Sequence, residues 1–268
     1  MTEIDFQNLA RQLIDPVHEA GARIMSFYGN VEVALKADSS PVTEADQQAD
    51  RVLVAALSKI APDIPVISEE SSPEMDIDPS ASFFLVDPLD GTKEFINNRT
   101  EFTVNVALIS NRKPVFGVVY APALSALYVT LETDHAAKAE LDPAKAAPGF
   151  AGLDLTSIQT RTPPPAGLTA AVSRSHMDEA TQAFLDARHI TDTFASGSSL
   201  KFCCIAEGLA DVYPRFGRTM EWDTAAGHAV LAAAGGVVTD EDGKPFVYGK
   251  KQEKFANSGF IAWGGQSK

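Results

Sequence analysis

The sequence predicts a mixed protein, an α+β half followed by an α/β half, on three observations. Helical spacing of apolar residues dominates residues 5 to 28 and 43 to 60. A cleanly alternating strand pair, "FTVNVALIS" and "KPVFGVVYAP", comes after them, joined by a short polar turn. From residue 168 onward, strand-like and helix-like segments take turns.

Taken in order, Phe6, Leu9, Leu13, Val17, Ala20, Ile24 and Phe27 make the apolar stripe of a first helix, with a kink expected at Pro16. A short strand is expected over 31 to 35. "VTEADQQADRVLVAALSKI" reads as a second amphipathic helix, capped by Thr43 or a polar neighbour. Residues 64 to 68 read as a strand ending at Glu69 and Glu70. In "FFLVDPLDGTKEF", residues 83 to 95, four consecutive apolar residues predict a strand buried on both faces that stops at two carboxylates, Asp87 and Asp90. "ALYVTLE" adds a further strand. From 132 to 166 the chain is rich in Ala and Pro and weakly periodic, which places a boundary between subdomains 1–135 and 136–268. Beyond it, strands are expected near 168–173, 191–195, 210–213, 236–239 and 259–263, with helices near 177–188, 198–207 and 223–234.

Composition narrows the function. The chain has 268 residues, 45% of them hydrophobic and 22% charged, the balance of an ordinary globular protein with a substantial core. With 22 Lys and Arg against 36 Asp and Glu, its charge of −14 lacks the footprint expected for long nucleic acids. A polyanionic substrate would need cations between it and the protein. The N-terminus has neither the basic leader nor the apolar core of a signal peptide. No apolar run approaches the roughly 18 to 20 residues of a bilayer span, so no integral membrane segment is expected. Cys203 and Cys204 are adjacent and poorly placed for a disulfide or a zinc site, which points to buried packing in a reducing cytoplasm. The histidines form no HExxH pattern.

The acidic positions carry the chemistry. Pro88 stiffens the turn and Gly91 permits an unusual backbone angle, so Asp87 and Asp90 can face one cavity. Two anions that close repel unless a cation joins them. Magnesium suits hard carboxylate oxygens at about 2.1 Å together with water and phosphate, and the carbonyl of Leu89 offers another oxygen. Gly91 and Thr92 open a helical turn whose amides suit a phosphate. A lone Asp-Pro-Leu-Asp-Gly stretch is also ordinary turn composition. Glu69 at a strand end, and Asp46 and Asp223 at helix starts, extend the acidic set, although a carboxylate at a helix start equally serves as a cap. "DIDPSAS", residues 76 to 82, fails as a calcium loop because Ala81 and Asp87 stand where glycine and glutamate are needed.

"SPVTEAD", "SEE", "DPLDGTKEF", "EFTVNVALI", "GVVYAP", "SSLKFCCIAEGLADVYPR" and "MEWDTAAGHAVL" closely resemble the inositol monophosphatase superfamily. Within it they resemble most the bacterial 3'(2'),5'-bisphosphate nucleotidases. The likeness covers nearly the whole chain outside the Ala- and Pro-rich middle. It implies a layered αβαβα sandwich of the inositol monophosphatase and fructose-1,6-bisphosphatase type. It implies Glu69, Asp87, the Leu89 carbonyl, Asp90 and Asp223 as ligands of two or three magnesium ions. Glu69, Thr92 and Asp46 are the implied catalytic residues, with Thr92 and Asp46 orienting and deprotonating the attacking water. The subdomain 1–135 would then carry most metal ligands, and 136–268 would add Asp223 and substrate contacts. The implied reaction converts adenosine 3',5'-bisphosphate to AMP and phosphate without a covalent intermediate, with inhibition by lithium. Inositol or sugar phosphate hydrolysis is the nearest rival, and a non-catalytic metal and nucleotide binder the distant one.

Substrate contacts are expected from Glu69, Leu89, Asp90, Gly91, Thr92 and Asp223, from the Gly197 and Ser198 amides, and from Arg215. A helix cap at Gly197 and Ser198 and a solvated arginine at 215 stand as simpler readings. Lys36 is expected either to face the anionic cavity or to be exposed. Arg218 departs from the proline of the family pattern. The expected partner is a small nucleotide bisphosphate; a homo-oligomer and peripheral association with the inner membrane face are compatible with the sequence.

Overall fold

The computed structural model describes residues 5–30, 33–35, 41–71, 76–173 and 178–265. Lys36 lies outside the described residues. Helix α1 (Phe6–Phe27) begins at Asp5, whose carboxylate accepts from the Asn8 amide at 2.9 Å, and continues through Pro16. Strands β1 (Val33–Leu35) and β2 (Pro41–Thr43) pair antiparallel and lead into α2 (Glu44–Ile60). Next come β3 (Val66–Ser68), β4 (Phe83–Asp90), α3 (Thr92–Ile96), β5 (Thr103–Ser110), β6 (Lys113–Ala121), β7 (Ala126–Glu132), β8 (His135–Glu140) and β9 (Thr156–Ile158). These strands form one seven-stranded sheet in sequential order, antiparallel except for the β3–β4 pair. The remaining elements are β10 (Thr169–Ser173), α4 (Glu179–Ala187), β11 (Asp192–Ser196), α5 (Leu200–Ala206), β12 (Val212–Arg215), β13 (Thr219–Met220), α6 (Glu221–Ala233), β14 (Val237–Asp240), β15 (Ala256–Asn257) and β16 (Phe260–Trp263). Five of them make a second sheet in the order β11-β10-β12-β16-β14.

Side-chain parity along β4 sets the layers. Phe84 and Val86 join Leu9, Leu13, Leu53 and Leu57 of α1 and α2 in one core. Phe83 and Leu85, on the opposite face, join Phe202 of α5, Ala226 and Val230 of α6, and Phe260 of the second sheet. On the far side of that sheet, Ala170, Val172 and Ile261 pack against Phe184 and Leu185 of α4. The sequence of layers is αβαβα, as the fold resemblance implies. A strand covered by helices on both faces needs apolar residues at every position, which is why "FFLV" does not alternate. Burying Phe83 and Phe84 completely contributes roughly 1.5–3 kcal/mol each, so the strand that carries the acids is anchored from two sides.

Strand β4 ends at Asp90, the second of the two expected carboxylates, with a register shift against β5 between Asp87 and Asp90. Pro88 has no N–H to give to the ladder, and a bulge absorbs the missing bond. The weakly periodic stretch 132–166 contains β8 and β9, which extend the seven-stranded sheet. The expected boundary at 135 falls on the first residue of β8, and the chain leaves that sheet only after Ile158. Among the described residues, no helix is long and apolar enough to cross a membrane.

Candidate active site

By parity Asp87 continues the Phe83–Leu85 face of β4 toward α6. Its Oδ1 accepts from the Leu89 amide at 3.0 Å, a turn built by an aspartate on the backbone two residues ahead. The chain then reaches Asp90 and Gly91, which has φ +93°. A β-carbon at Gly91 would also lie 3.2 Å from the Glu101 carbonyl oxygen, so the turn requires glycine. Glu69 follows β3, and its amide donates to the Val86 carbonyl at 3.2 Å. Behind it, the Ser68 hydroxyl donates to buried Asp50, which also accepts from Ser71 at 3.2 Å.

Asp223 arrives from the opposite layer as the third residue of α6, and its Oδ2 accepts from the Met220 amide at 2.8 Å. One carboxylate oxygen from each of Glu69, Asp87 and Asp223 lies within 4.8 Å of the other two. The cap and the cluster are therefore the same side chain, and the two readings of Asp223 are compatible. Asp46 is similar. As the third residue of α2, its Oδ2 accepts from the Thr43 amide at 2.7 Å and the Thr43 hydroxyl at 2.6 Å, while its Oδ1 faces the Thr92 hydroxyl at 3.2 Å. Thr92 Oγ1 also lies 3.2 Å from the Leu89 carbonyl oxygen, which links the turn to α2.

Glu69, Asp90, Gly91, Thr92 and Asp223 line a cavity of about 520 Å³, together with Gly197, Ser198, Lys201, Arg215 and Arg218. Asp46, Asp87 and Leu89 are buried and do not line it. Gly197 fits only as glycine, since a β-carbon would meet the Glu101 carbonyl oxygen at 2.6 Å. Ser198 has φ +43°, a left-handed conformation that costs a non-glycine residue on the order of 1–3 kcal/mol and clusters at functional sites. Its neighbour Ser199 donates its amide to Asp90 Oδ2 at 2.7 Å. So the stretch 197–199 serves as wall and anchor rather than only as a cap.

Lys201 is a site residue that sequence reasoning missed. It is 4% exposed, and its Nζ donates to the Ser198 carbonyl at 2.6 Å. Burial lowers it to about 8, while nearby Asp90 favours its charge. The available signal was a single lysine within "LKFCCIA", a helix whose every residue is buried. The adjacent Cys203 and Cys204 are free and buried, and burial pushes the Cys204 thiol up to about 12.

The electrostatics identify what the acidic wall lacks. Burial pushes Asp87 and Asp223 well above the ordinary carboxylate range, and the other carboxylates of the cluster add to it. Asp90 rises to about 6, burial outweighing Lys201 and the Ser199 amide. Asp46 is raised as well, by burial first. Crowded carboxylates and a backbone carbonyl form an oxygen-only donor set that suits a hard divalent cation. Cations placed among them would remove the repulsion.

Comparison with known proteins gives the family of the chain. The family model described as the inositol monophosphatase family matches residues 5–264. The chain is 45% identical over 253 residues to the 3'(2'),5'-bisphosphate nucleotidases CysQ of Shigella flexneri and Escherichia coli K12, covering 93% of this chain and 97% of each relative. The crystal structure of CysQ from Bacteroides thetaiotaomicron superimposes with a TM-score of 0.80 at 36% identity, covering 98% of this chain and 99% of that one. Matched along nearly its whole length in both sequence and layer order, the chain belongs to the inositol monophosphatase family.

Proposed function

We propose that this chain is a magnesium-dependent 3'(2'),5'-bisphosphate nucleotidase that converts adenosine 3',5'-bisphosphate to AMP and phosphate. The observation that carries it is the meeting of Glu69, Asp87 and Asp223 from three elements within 4.8 Å, beside a cavity also lined by Lys201 and Arg215. The names of the 45%-identical relatives supply the substrate class.

Glu69, Asp87, Asp90, Asp223 and the Leu89 carbonyl would hold two or three magnesium ions. When bound, magnesium supplies Lewis acidity, making water more acidic and drawing charge from the phosphoryl and leaving oxygens. The chain's own groups do the rest. With its proton on Asp46 Oδ1, the Thr92 hydroxyl offers lone pairs to the attacking water. Asp46, made more basic by burial, draws that proton and so the next one toward the protein interior. Glu69 borders the same cavity and orients the water. Lys201 and Arg215 hold the second phosphate and favour a bisphosphate over a monophosphate. No side chain needs to form a covalent bond to phosphorus.

Phosphate release from adenosine 3',5'-bisphosphate and from inositol 1-phosphate, each with and without magnesium, tests the reading. The nucleotide should turn over faster and only with the metal. Faster turnover of the inositol ester removes the assignment.

A further inference from the structure

Beneath the cavity runs a chain of hydroxyl groups that the reaction as described does not use. Asn105 and Thr103 lie on β5, directly opposite Asp87 and Asp90 of β4. Both are completely buried at positions where a strand facing a core normally carries apolar residues. Ser199 Oγ donates to Asn105 Oδ1 at 2.7 Å and lies 2.9 Å from Thr103 Oγ1. Thr103 Oγ1 lies 3.0 Å from Ser198 Oγ, at the cavity wall. The Asn105 amide nitrogen is buried without a hydrogen-bond partner among the described residues.

Each hydroxyl has one proton, so the four groups must pass protons in a single direction. With Asn105 Oδ1 as the terminal acceptor, Ser198 gives its proton inward and shows only lone pairs to the cavity. An anionic phosphate offers only acceptors, so that direction opposes binding. Turning the amide about its axis places the nitrogen where the oxygen is, 2.7 Å from Ser199 Oγ. Asn105 then donates to Ser199, Ser199 to Thr103, Thr103 to Ser198, and Ser198 outward. The left-handed backbone of Ser198 and the Lys201 bond to its carbonyl hold that hydroxyl in place.

We propose that Asn105 and Thr103 are positioning residues that turn the Ser198 hydroxyl into a hydrogen-bond donor for a phosphate oxygen of the substrate. The inference rests on the phosphoester reading of the cavity and adds its polarity.

The test is kinetic, on the magnesium-loaded full chain, with Asn105→Leu, Thr103→Val, Ser198→Ala and the doubles that combine each of the first two with Ser198→Ala. Each single substitution should raise KM about tenfold and change kcat less than about threefold. In the Ser198→Ala background, Asn105→Leu and Thr103→Val should have no further effect. Effects that multiply in the doubles, or an unchanged KM in Thr103→Val, overturn the proposal, because a loosened fold would act with or without Ser198. Thr103→Val preserves volume and gives the answer alone if Asn105→Leu does not fold by thermal melt. Whether the wild type hydrolyses the nucleotide is read before any variant. If another phosphomonoester is faster, the same cycle is run on it, so the two readings fail separately.

Discussion

Asp87 and Asp211 are the same residue type at almost the same burial, 2% and 3% exposed, yet their surroundings are opposite. Asp211 is enclosed by donors. Arg161 Nε and Nη2 reach it at 2.8 and 2.7 Å, and the Thr169 amide at 2.7 Å. Burial alone would raise its pKa, but Arg161 and Thr169 overcome that and hold it below the usual value. Asp87 has one backbone donor and three carboxylate neighbours, and it is raised. A carboxylate with its charge already matched ties β12 to the segment before β10. One crowded by its own kind has no such match, and a cation would supply it.

The comparison breaks most sharply under paired Asp→Asn substitutions. Asp87→Asn keeps the acceptor for the Leu89 amide and removes one charge. It should lower kcat/KM by about a thousandfold, several kcal/mol of lost metal assistance, while the metal-free melting temperature rises by about 2–5 °C. Asp211→Asn should do the reverse. It leaves Arg161 without its carboxylate and should destabilise by about 2–3 kcal/mol, below the full buried-pair figure because Arg161 is partly exposed, with kcat unchanged in the folded fraction. Urea titration and initial rates on both variants check the crossing. A thermal loss in Asp87→Asn as large as in Asp211→Asn makes the two sites the same kind of thing.

Titration sharpens the contrast, and the signs are opposite. Asp90 is raised in the folded chain from 3.8 to about 6, by burial first. Its contribution is therefore present below pH about 4 and lost as pH rises through about 6. Asp211 is lowered, so its contribution is present above the unfolded value near 3.9 and lost as pH falls below it. Metal-free protein should lose stability between about pH 4 and 6, and magnesium should abolish that loss. A flat metal-free profile over that range removes the electrostatic account of the cluster. At a fixed pH of 7, magnesium at a hundredfold excess over its Kd adds about 2.7 kcal/mol, or about 5–10 °C, in wild type but not in Asp87→Asn. Differential scanning calorimetry reads both.

Part of this was legible in the residues. The unbroken "FFLV" run announced a strand covered on both faces, and Glu69, Asp90, Asp46 and Asp223 each stand at or near the end of an element, with Asp87 three residues before the end of β4. Strands β8 and β9 were not legible. "HAAKAE" has only alanine for its apolar residues, and alanine gives little hydrophobic contrast, while Thr156 and Ser157 of β9 are exposed at the sheet edge. The bulge between Asp87 and Asp90 has no local pattern to announce it. Lys201 was readable as a polar residue in an apolar helix, whereas Thr103 and Asn105 fit the polar positions of an alternating strand and only the packed structure shows them buried. Their value as a signal becomes clear only when the packed layer on each side is known.

The smallest expected effects come from two threonines, one in each region. Thr92 Oγ1 lies 3.2 Å from Asp46 Oδ1 and from the Leu89 carbonyl. Thr169 Oγ1 accepts from Arg161 Nη2 at 3.0 Å. Replacing either by valine preserves shape and removes one hydroxyl. Each should lose about 1 kcal/mol of stability, the ordinary worth of one hydrogen bond. Activity then separates them. Thr92→Val interrupts the path from water to Asp46 and should lower kcat about tenfold with KM little changed, whereas Thr169→Val should leave kcat alone. Because the stability losses match, a kcat difference cannot come from unfolding. If Thr92→Val retains full kcat, the proton reaches Asp46 by another path or does not go there, and the acidic cluster acts through its cations alone.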